Sequence, residues 1–214
     1  MPLTASTTTA RRWCLQGKRN NASRGIALIT TLTMLIVVML LAITGARVVL
    51  DGKRNARNMR DLDIAFQAAE AALSDAELDI EESPGANTRS HLFSPQSAQG
   101  FAIGCNTGTG DNTAYLGLCL PSSDQISVWN EVDWDVTTNP RTVAFGTFTG
   151  RSFQTGAGAM PSRPPRYLIE LLIDRSSGMS ADEQRYLYRI TAIGFGPNGD
   201  TRAMVQSVYR KSNR

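Results

Sequence analysis

Histidine is nearly absent from this sequence, with His91 its only instance, and the 214 residues include three cysteines. One histidine excludes a histidine-cluster metal site, and no motif around it supports a Ser–His–Asp assembly. Neither Cys14, Cys105 nor Cys119 has the C-x-x-C spacing a zinc site needs, so no metal or cofactor is expected. Acidic residues are missing from the first 25 positions, where Arg11, Arg12, Lys18, Arg19 and Arg24 stand unopposed. Without those five the chain keeps 17 of its 22 basic residues against 19 acids, and its net charge falls from +3 to −2. The basic pI therefore belongs largely to the leader. No basic stripe with interleaved aromatics remains elsewhere, so nucleic acid is not an expected partner. Charge is absent from 26–46, and proline from 26–83.

The uncharged run, IALITTLTMLIVVMLLAITGA, holds 21 residues. As a helix it is about 31 Å long, enough for a hydrocarbon core of about 30 Å. Thr30, Thr31, Thr33 and Thr44 can return their hydroxyls to the backbone and so do not spoil the span. A cleaved secretory signal is the alternative, but its apolar stretch would be only about 7–15 residues. Charge does not orient the span, because Arg47, Lys53, Arg54, Arg57 and Arg60 on the far side balance the leader. Cysteine parity breaks the tie. With the leader gone, Cys105 and Cys119 remain, an even number that suits one disulfide outside the cytoplasm; two separate buried thiols are the other reading. Such a bond would contribute roughly 3 kcal/mol in the chain-entropy model.

The helix is expected to continue past the span, since 56–82 is rich in Ala, Leu, Glu, Arg and Gln. Met59, Leu62, Phe66, Ala69, Leu73, Ala76 and Ile80 follow a 3-4-3-4-3-4 spacing, which puts seven apolar side chains on one stripe. That stripe predicts a seam on the protein's own domain, shared or not with neighbouring subunits. Ser83-Pro84-Gly85 predicts the stop, giving one helix over 26–82 of about 85 Å.

Beyond Pro84 the pattern turns to strand and loop. Strands are predicted over 166–174, 185–195 and 201–211, the last two joined through Gly196-Pro197-Asn198-Gly199-Asp200 as an antiparallel hairpin. Residues 101–104 and 127–136 are weaker strand candidates, and 146–165, with four Gly and three Pro, reads as a long surface loop. Gly194-x-Gly196-x-x-Gly199 matches a dinucleotide fingerprint in letters only, since it falls at a hairpin turn with no helix after it. Glu131, Asp133 and Asp135 would share one face if 127–136 is a strand, a conceivable calcium site set against a solvated face. Trp129 and Trp134 read as core or as contact surface.

The N-terminal part resembles a type IV prepilin, specifically the PilX family of minor pilins. The resemblance rests on the basic leader ending in Arg24-Gly25, the block from Ile26-Ala27-Leu28-Ile29, and Asn58-Met59-Arg60-Asp61 leading to Ala65-Phe66-Gln67-Ala68-Ala69-Glu70-Ala71-Ala72-Leu73, with Tyr209-Arg210-Lys211 at the end. It implies cleavage by a prepilin peptidase between Gly25 and Ile26 and N-methylation of Ile26. It also implies an α+β pilin-like fold, a long helix packed on a small antiparallel sheet. The expected layout is a leader over 1–25, a transmembrane and assembly helix over 26–46, its amphipathic continuation over 47–83, and a periplasmic domain over 84–214. Most pilins carry glutamate at the fifth mature position, where its charge meets a neighbour's N-terminal amine; here that position is Thr30, which carries no charge. The departure suits a low-copy subunit at an initiation or tip complex.

The resulting expectation is a non-enzymatic minor pilin of a type IV pilus, held in the inner membrane before assembly, that helps prime the fibre and form its tip. Implied partners are the other minor pilins, the major pilin, the prepilin peptidase and a large tip adhesin, and the implied processes are adhesion and twitching motility. The alternatives are a minor pseudopilin of a type II secretion system and, from another class, a membrane-tethered periplasmic enzyme.

Overall fold

With no proline between Ser23 and Glu81, nothing breaks a helix there, and α1 (Ser23–Glu81) runs for 59 residues. The computed structural model describes residues 23–81, 87–121, 127–175 and 185–212. The leader before Ser23 and the Ser83-Pro84-Gly85 stop lie outside the described residues. The chain divides into two compact units, Met1–Lys53 and Arg54–Arg214.

In the first unit, every described side chain of α1 from position 25 onward is exposed. α1 is long and apolar enough to cross a membrane. The hydroxyls of Thr30, Thr31 and Thr33 donate to the carbonyls of Ala27, Leu28 and Thr30, each at 2.9 Å, and Thr44 donates to Leu41 at the same distance. Each polar group on the span is thereby satisfied within the helix.

In the second unit the C-terminal part of α1 packs on a six-stranded sheet of order β1-β2-β4-β5-β6, with β3 beside β4. The strands are β1 (Ala102–Ile103), β2 (Leu118–Leu120), β3 (Val143–Ala144), β4 (Arg166–Ile173), β5 (Tyr186–Phe195) and β6 (Arg202–Tyr209). The three long strands lie where the alternation and turn chemistry put them. β5 and β6 form the expected hairpin, closed by Gly196 N–H to Thr201 O at 2.8 Å and by Thr201 N–H to Asn198 Oδ1 at 3.1 Å.

The sheet is mixed and not wholly antiparallel. β3, β4, β5 and β6 pair antiparallel, whereas β1–β2 and β2–β4 are parallel. A parallel pair needs a crossover of a dozen or more residues. The segments between β1 and β2, and between β2 and β4, are long enough to supply it. The 127–136 stretch is also no strand: it holds α2 (Val128–Glu131), a single helical turn. Val132 N–H closes the turn onto Val128 O at 3.2 Å, and Val128 and Val132 are buried with Trp134.

Two apolar clusters result, one on each face of the sheet. The helix-side core contains Ala72, Ala76, Ile80, Tyr167, Ile169, Tyr188 and Ile190. The opposite face buries Leu168, Ile193 and Phe195 under Cys105, Cys119, Val128, Val132 and Trp134. The expected surface loop 146–165 is exposed from position 154 through 160, but it opens by burying Phe148 and Thr149.

Candidate functional site

The second half of α1 carries two surfaces of different chemistry. Its inner face is made of small side chains: Ala65, Ala68, Ala69, Ala72 and Ala76 are buried, as is Ile80. The partner strand explains why they are small. A Cβ on Gly194 of β5 would lie 2.0 Å from the Ala65 carbonyl oxygen and 2.4 Å from the Ala69 nitrogen, and one on Gly196 would lie 3.0 Å from the Asp61 carbonyl oxygen. Helix backbone and strand backbone approach directly, so the helix side carries nothing larger than alanine there and the strand side nothing larger than glycine.

This geometry corrects the seven-residue stripe. Ala69, Ala76 and Ile80 are buried against the sheet and Leu73 is half-buried, but Met59, Leu62 and Phe66 are 58%, 43% and 46% exposed. Regular 3-4 spacing selects one line along a helix; the close approach at Gly194 rotates the buried line onto the alanines. The three large side chains are left facing outward on the second unit, an apolar patch of the kind that marks an interaction surface.

Two carboxylates that sequence reasoning missed interrupt the alanine face. Asp75 and Asp79, one helical turn apart, are fully buried. Asp79 is held by the buried Arg89, whose Nη2 and Nε donate to it at 2.6 and 3.0 Å, and by the Tyr167 hydroxyl at 2.8 Å. Arg89 Nη1 also donates to the carbonyls of Ala114 and Leu116, at 2.8 and 2.6 Å, and its guanidinium lies 3.7 Å from the centre of the Phe148 ring. Burial and the Asp79 charge push the Tyr167 hydroxyl well above its ordinary pKa. Asp75 accepts from Gly146 N–H at 2.7 Å and Thr149 Oγ1 at 2.5 Å; its pKa is nevertheless raised, because burial outweighs those donors and Arg151. The pair fastens α1 to β4, to the 146–149 turn and to the chain before β2. The legible signal was an acid at i and i+4 on an otherwise alanine-lined face.

Cys105 and Cys119 are joined by a disulfide. Cys119 lies on β2 and Cys105 just after β1, so the bond fixes the covering of the outer sheet face. The glycines of the dinucleotide-like motif have structural reasons: Gly194 and Gly196 admit the helix, and Gly199 takes a φ of +75° in the hairpin turn. Glu131, Asp133 and Asp135 do not share a strand face, and Asp135 binds both Arg163 and Arg202, whose hydrogen bonds hold its pKa below the usual range. Gly25, Ile26 and Thr30 lie on the exposed first part of α1.

A long apolar N-terminal helix whose second half lies on a small mixed sheet is the architecture of a pilin. The chain belongs to the PilX family of type IV pilus assembly proteins: the model for the PilX C-terminal part matches residues 103–211, and that for the PilX N-terminal part matches 24–74. The family identifies a type IV pilus minor pilin, a structural component that works with other pilus components. Comparisons with curated proteins and with solved structures found no match.

Proposed function

We propose that this minor pilin is a priming and tip-proximal subunit, held in the inner membrane by 26–46 with 84–214 on the periplasmic side. A prepilin peptidase removes 1–25 by cutting between Gly25 and Ile26, and Ile26 becomes the N-methylated terminus. On assembly the helix leaves lipid for a bundle formed with the other minor pilins and the major pilin, so its apolar surface stays out of water at both stages. A large tip adhesin is the further partner. The observation that carries this reading is the unbroken exposure of the apolar first part of α1, followed by exposed Met59, Leu62 and Phe66. Thr30 supports a special position, because its hydroxyl is turned back to Ala27 O and carries no charge to meet a neighbour's buried amine.

Mass spectrometry of the mature N-terminus in cells with and without the prepilin peptidase tests it. A chain starting at methylated Ile26 only when the peptidase is present is the expected result. An intact Met1 in both strains, or a chain starting at Arg47, would refute it.

A further inference from the structure

The outward side of α1 in the second unit carries two lines of side chains. Met59, Leu62 and Phe66 form the first and are exposed. Asp63, Glu70 and Glu77 form the second, seven residues apart and directly beside the first; Asp63 and Glu70 are exposed and Glu77 is half-buried. Seven residues are close to two turns, so the three carboxylates stay on one side of the helix. Asp63 and Glu70 take no hydrogen bond or ion pair among the described residues. Glu81, one turn beyond Glu77, is by contrast already held by the Tyr209 hydroxyl and Ser212 N–H, so the open line ends there.

Spacing, charge and direction together define what can cover this face. An apolar line spaced 3-4, with charges on its flank seven apart, follows the 3.5-residue period of paired helices, so the cover is a helix. The flanking charges are all negative, so that helix brings Lys or Arg, and an anionic bilayer surface is repelled. Helices anchored through their N-terminal apolar runs share one direction, so the pair is parallel. α1 itself carries cations in the matching arrangement: Lys53 and Arg60 are exposed, seven apart, and without an ion pair among the described residues. Lys53 stands ten residues before Asp63, and Arg60 ten before Glu70. A parallel helix of the same pattern meets Asp63 and Glu70 together when it is displaced by ten residues, about 15 Å.

We propose that this face of α1 seats the helix of a neighbouring pilus subunit, parallel to it and displaced about 15 Å toward its C-terminal end, with Lys or Arg set against Asp63 and Glu70. The inference rests on the reading of this chain as a subunit that assembles through α1, and adds the charge and the register of its neighbour. The apolar line takes surface out of water but does not fix how far the two helices slide. The charges do. For a neighbour patterned like α1, a slip of one turn sets its two cations level with Gln67 and Ser74, or with Arg60 and Gln67, and neither pair of positions offers a carboxylate.

The test uses the full chain in piliated cells, with p-benzoylphenylalanine in place of Gln67, which is exposed between the two acids, as a photocrosslinker. The expected adduct joins the N-terminal helix of another subunit, about ten residues closer to the mature N-terminus than Gln67, in a stretch bearing Lys or Arg seven apart. Its yield should fall at least fivefold in Glu70→Lys and stay within twofold in Glu70→Asp, with the Cys105–Cys119 bond still oxidised. Changing the facing Lys or Arg of the neighbour to Glu should restore the yield of Glu70→Lys to within twofold of wild type. Glu70→Gln, with a fall of at least twofold, carries the comparison if the lysine variant fails to accumulate. An adduct to lipid, an adduct outside that register or to a stretch without cations, no adduct, or a yield unchanged by both Glu70→Lys and Glu70→Gln would each overturn the proposal, and a mature terminus at Ile26 in the same cells would leave the functional reading standing. Absence of that terminus would overturn both.

Discussion

Adding one methyl group at Gly194 is the sharpest test of how α1 is seated. In Gly194→Ala the new Cβ would stand 2.0 Å from the Ala65 carbonyl oxygen, 2.4 Å from the Ala69 nitrogen and 3.0 Å from the Ala68 carbonyl carbon. Ordinary contact between such atoms is about 3.5 Å, so the helix would have to lift by roughly 1.5 Å. A gap of 0.5–1 Å already forfeits about a quarter to a half of the dispersion attraction along an interface. Overpacking typically costs about 1–3 kcal/mol, and the upper end applies here because the atoms struck are backbone and cannot rotate away. For a domain of this size about 3 kcal/mol lowers Tm by roughly 6–12 °C. The assay is thermal unfolding of the full chain in detergent, followed by near-ultraviolet circular dichroism from Trp129 and Trp134. Gly52→Ala is the control, since a Cβ there meets nothing within 4 Å, and its Tm should hold or rise. Truncating the helix side with Ala65→Gly and Ala69→Gly should not rescue Gly194→Ala, because the obstruction is not a side chain. A Gly194→Ala protein melting within about 1 °C of wild type would refute direct backbone contact as the reason for the alanine face.

Four further predictions follow from the polar groups and the anchor. Arg89→Met should destabilise the second unit by about 3–5 kcal/mol by leaving Asp79 buried and uncompensated, and adding Asp79→Asn should recover part of that loss in denaturant unfolding. Cys119→Ser should cost roughly 3 kcal/mol, read as the same loss when wild type is reduced with dithiothreitol. Burial alone would raise the Glu81 pKa, but donation from Ser212 N–H at 3.0 Å and the Tyr209 hydroxyl at 2.9 Å brings it below its ordinary 4.5. Its contribution is therefore present above pH 4.5 and lost as pH falls through the lower folded value, so the protection of amides at the end of β6, taken relative to their intrinsic exchange rates, should fall in that acid window and stay flat there in Glu81→Gln. The same substitution should lower the Tyr209 pKa from about 12 only partway, in an ultraviolet titration, because burial is the larger cause. Thr30→Glu should insert in the membrane normally but change pilus number or tip composition; an unchanged fibre would remove the argument for a special position.

The elements that were legible in the sequence are those set by local chemistry. The uncharged run, the proline-free helix and the Asn198-Gly199 hairpin each depend on neighbours in the chain, and each lies where it was expected. What escaped depends on partners far away. The buried line of α1 is decided by Gly194, more than a hundred positions downstream, so periodicity within the helix chose the larger side chains and missed the alanines. The salt bridge between Asp79 and Arg89 joins residues on either side of the predicted stop, and its third member, Tyr167, is on β4. The parallel pairing of β1 with β2 and of β2 with β4 joins strands of only two and three residues to partners set by distant contacts, and so leaves no local mark.

The correction to the stripe changes what mutations on α1 should report. Had Met59, Leu62 and Phe66 formed the seam, truncating them would unfold the domain and say nothing about assembly. They are exposed, and the seam is made of alanines and two satisfied carboxylates. The contacts that seat the helix and its exposed apolar side chains therefore lie on different faces of α1. Phe66→Ala should leave the Tm of the isolated full chain within about 2 °C, since an exposed substitution away from such contacts usually costs no more than about 0.5 kcal/mol. In cells the same change should lower incorporation into the fibre, because a neighbour's helix loses an apolar side chain that would otherwise be covered on packing. Ala69→Leu should do the reverse, unfolding the domain by forcing a large side chain against Gly194. If both substitutions lowered Tm equally, the two faces would not be separate, and the exposed patch would have no claim to be an assembly surface.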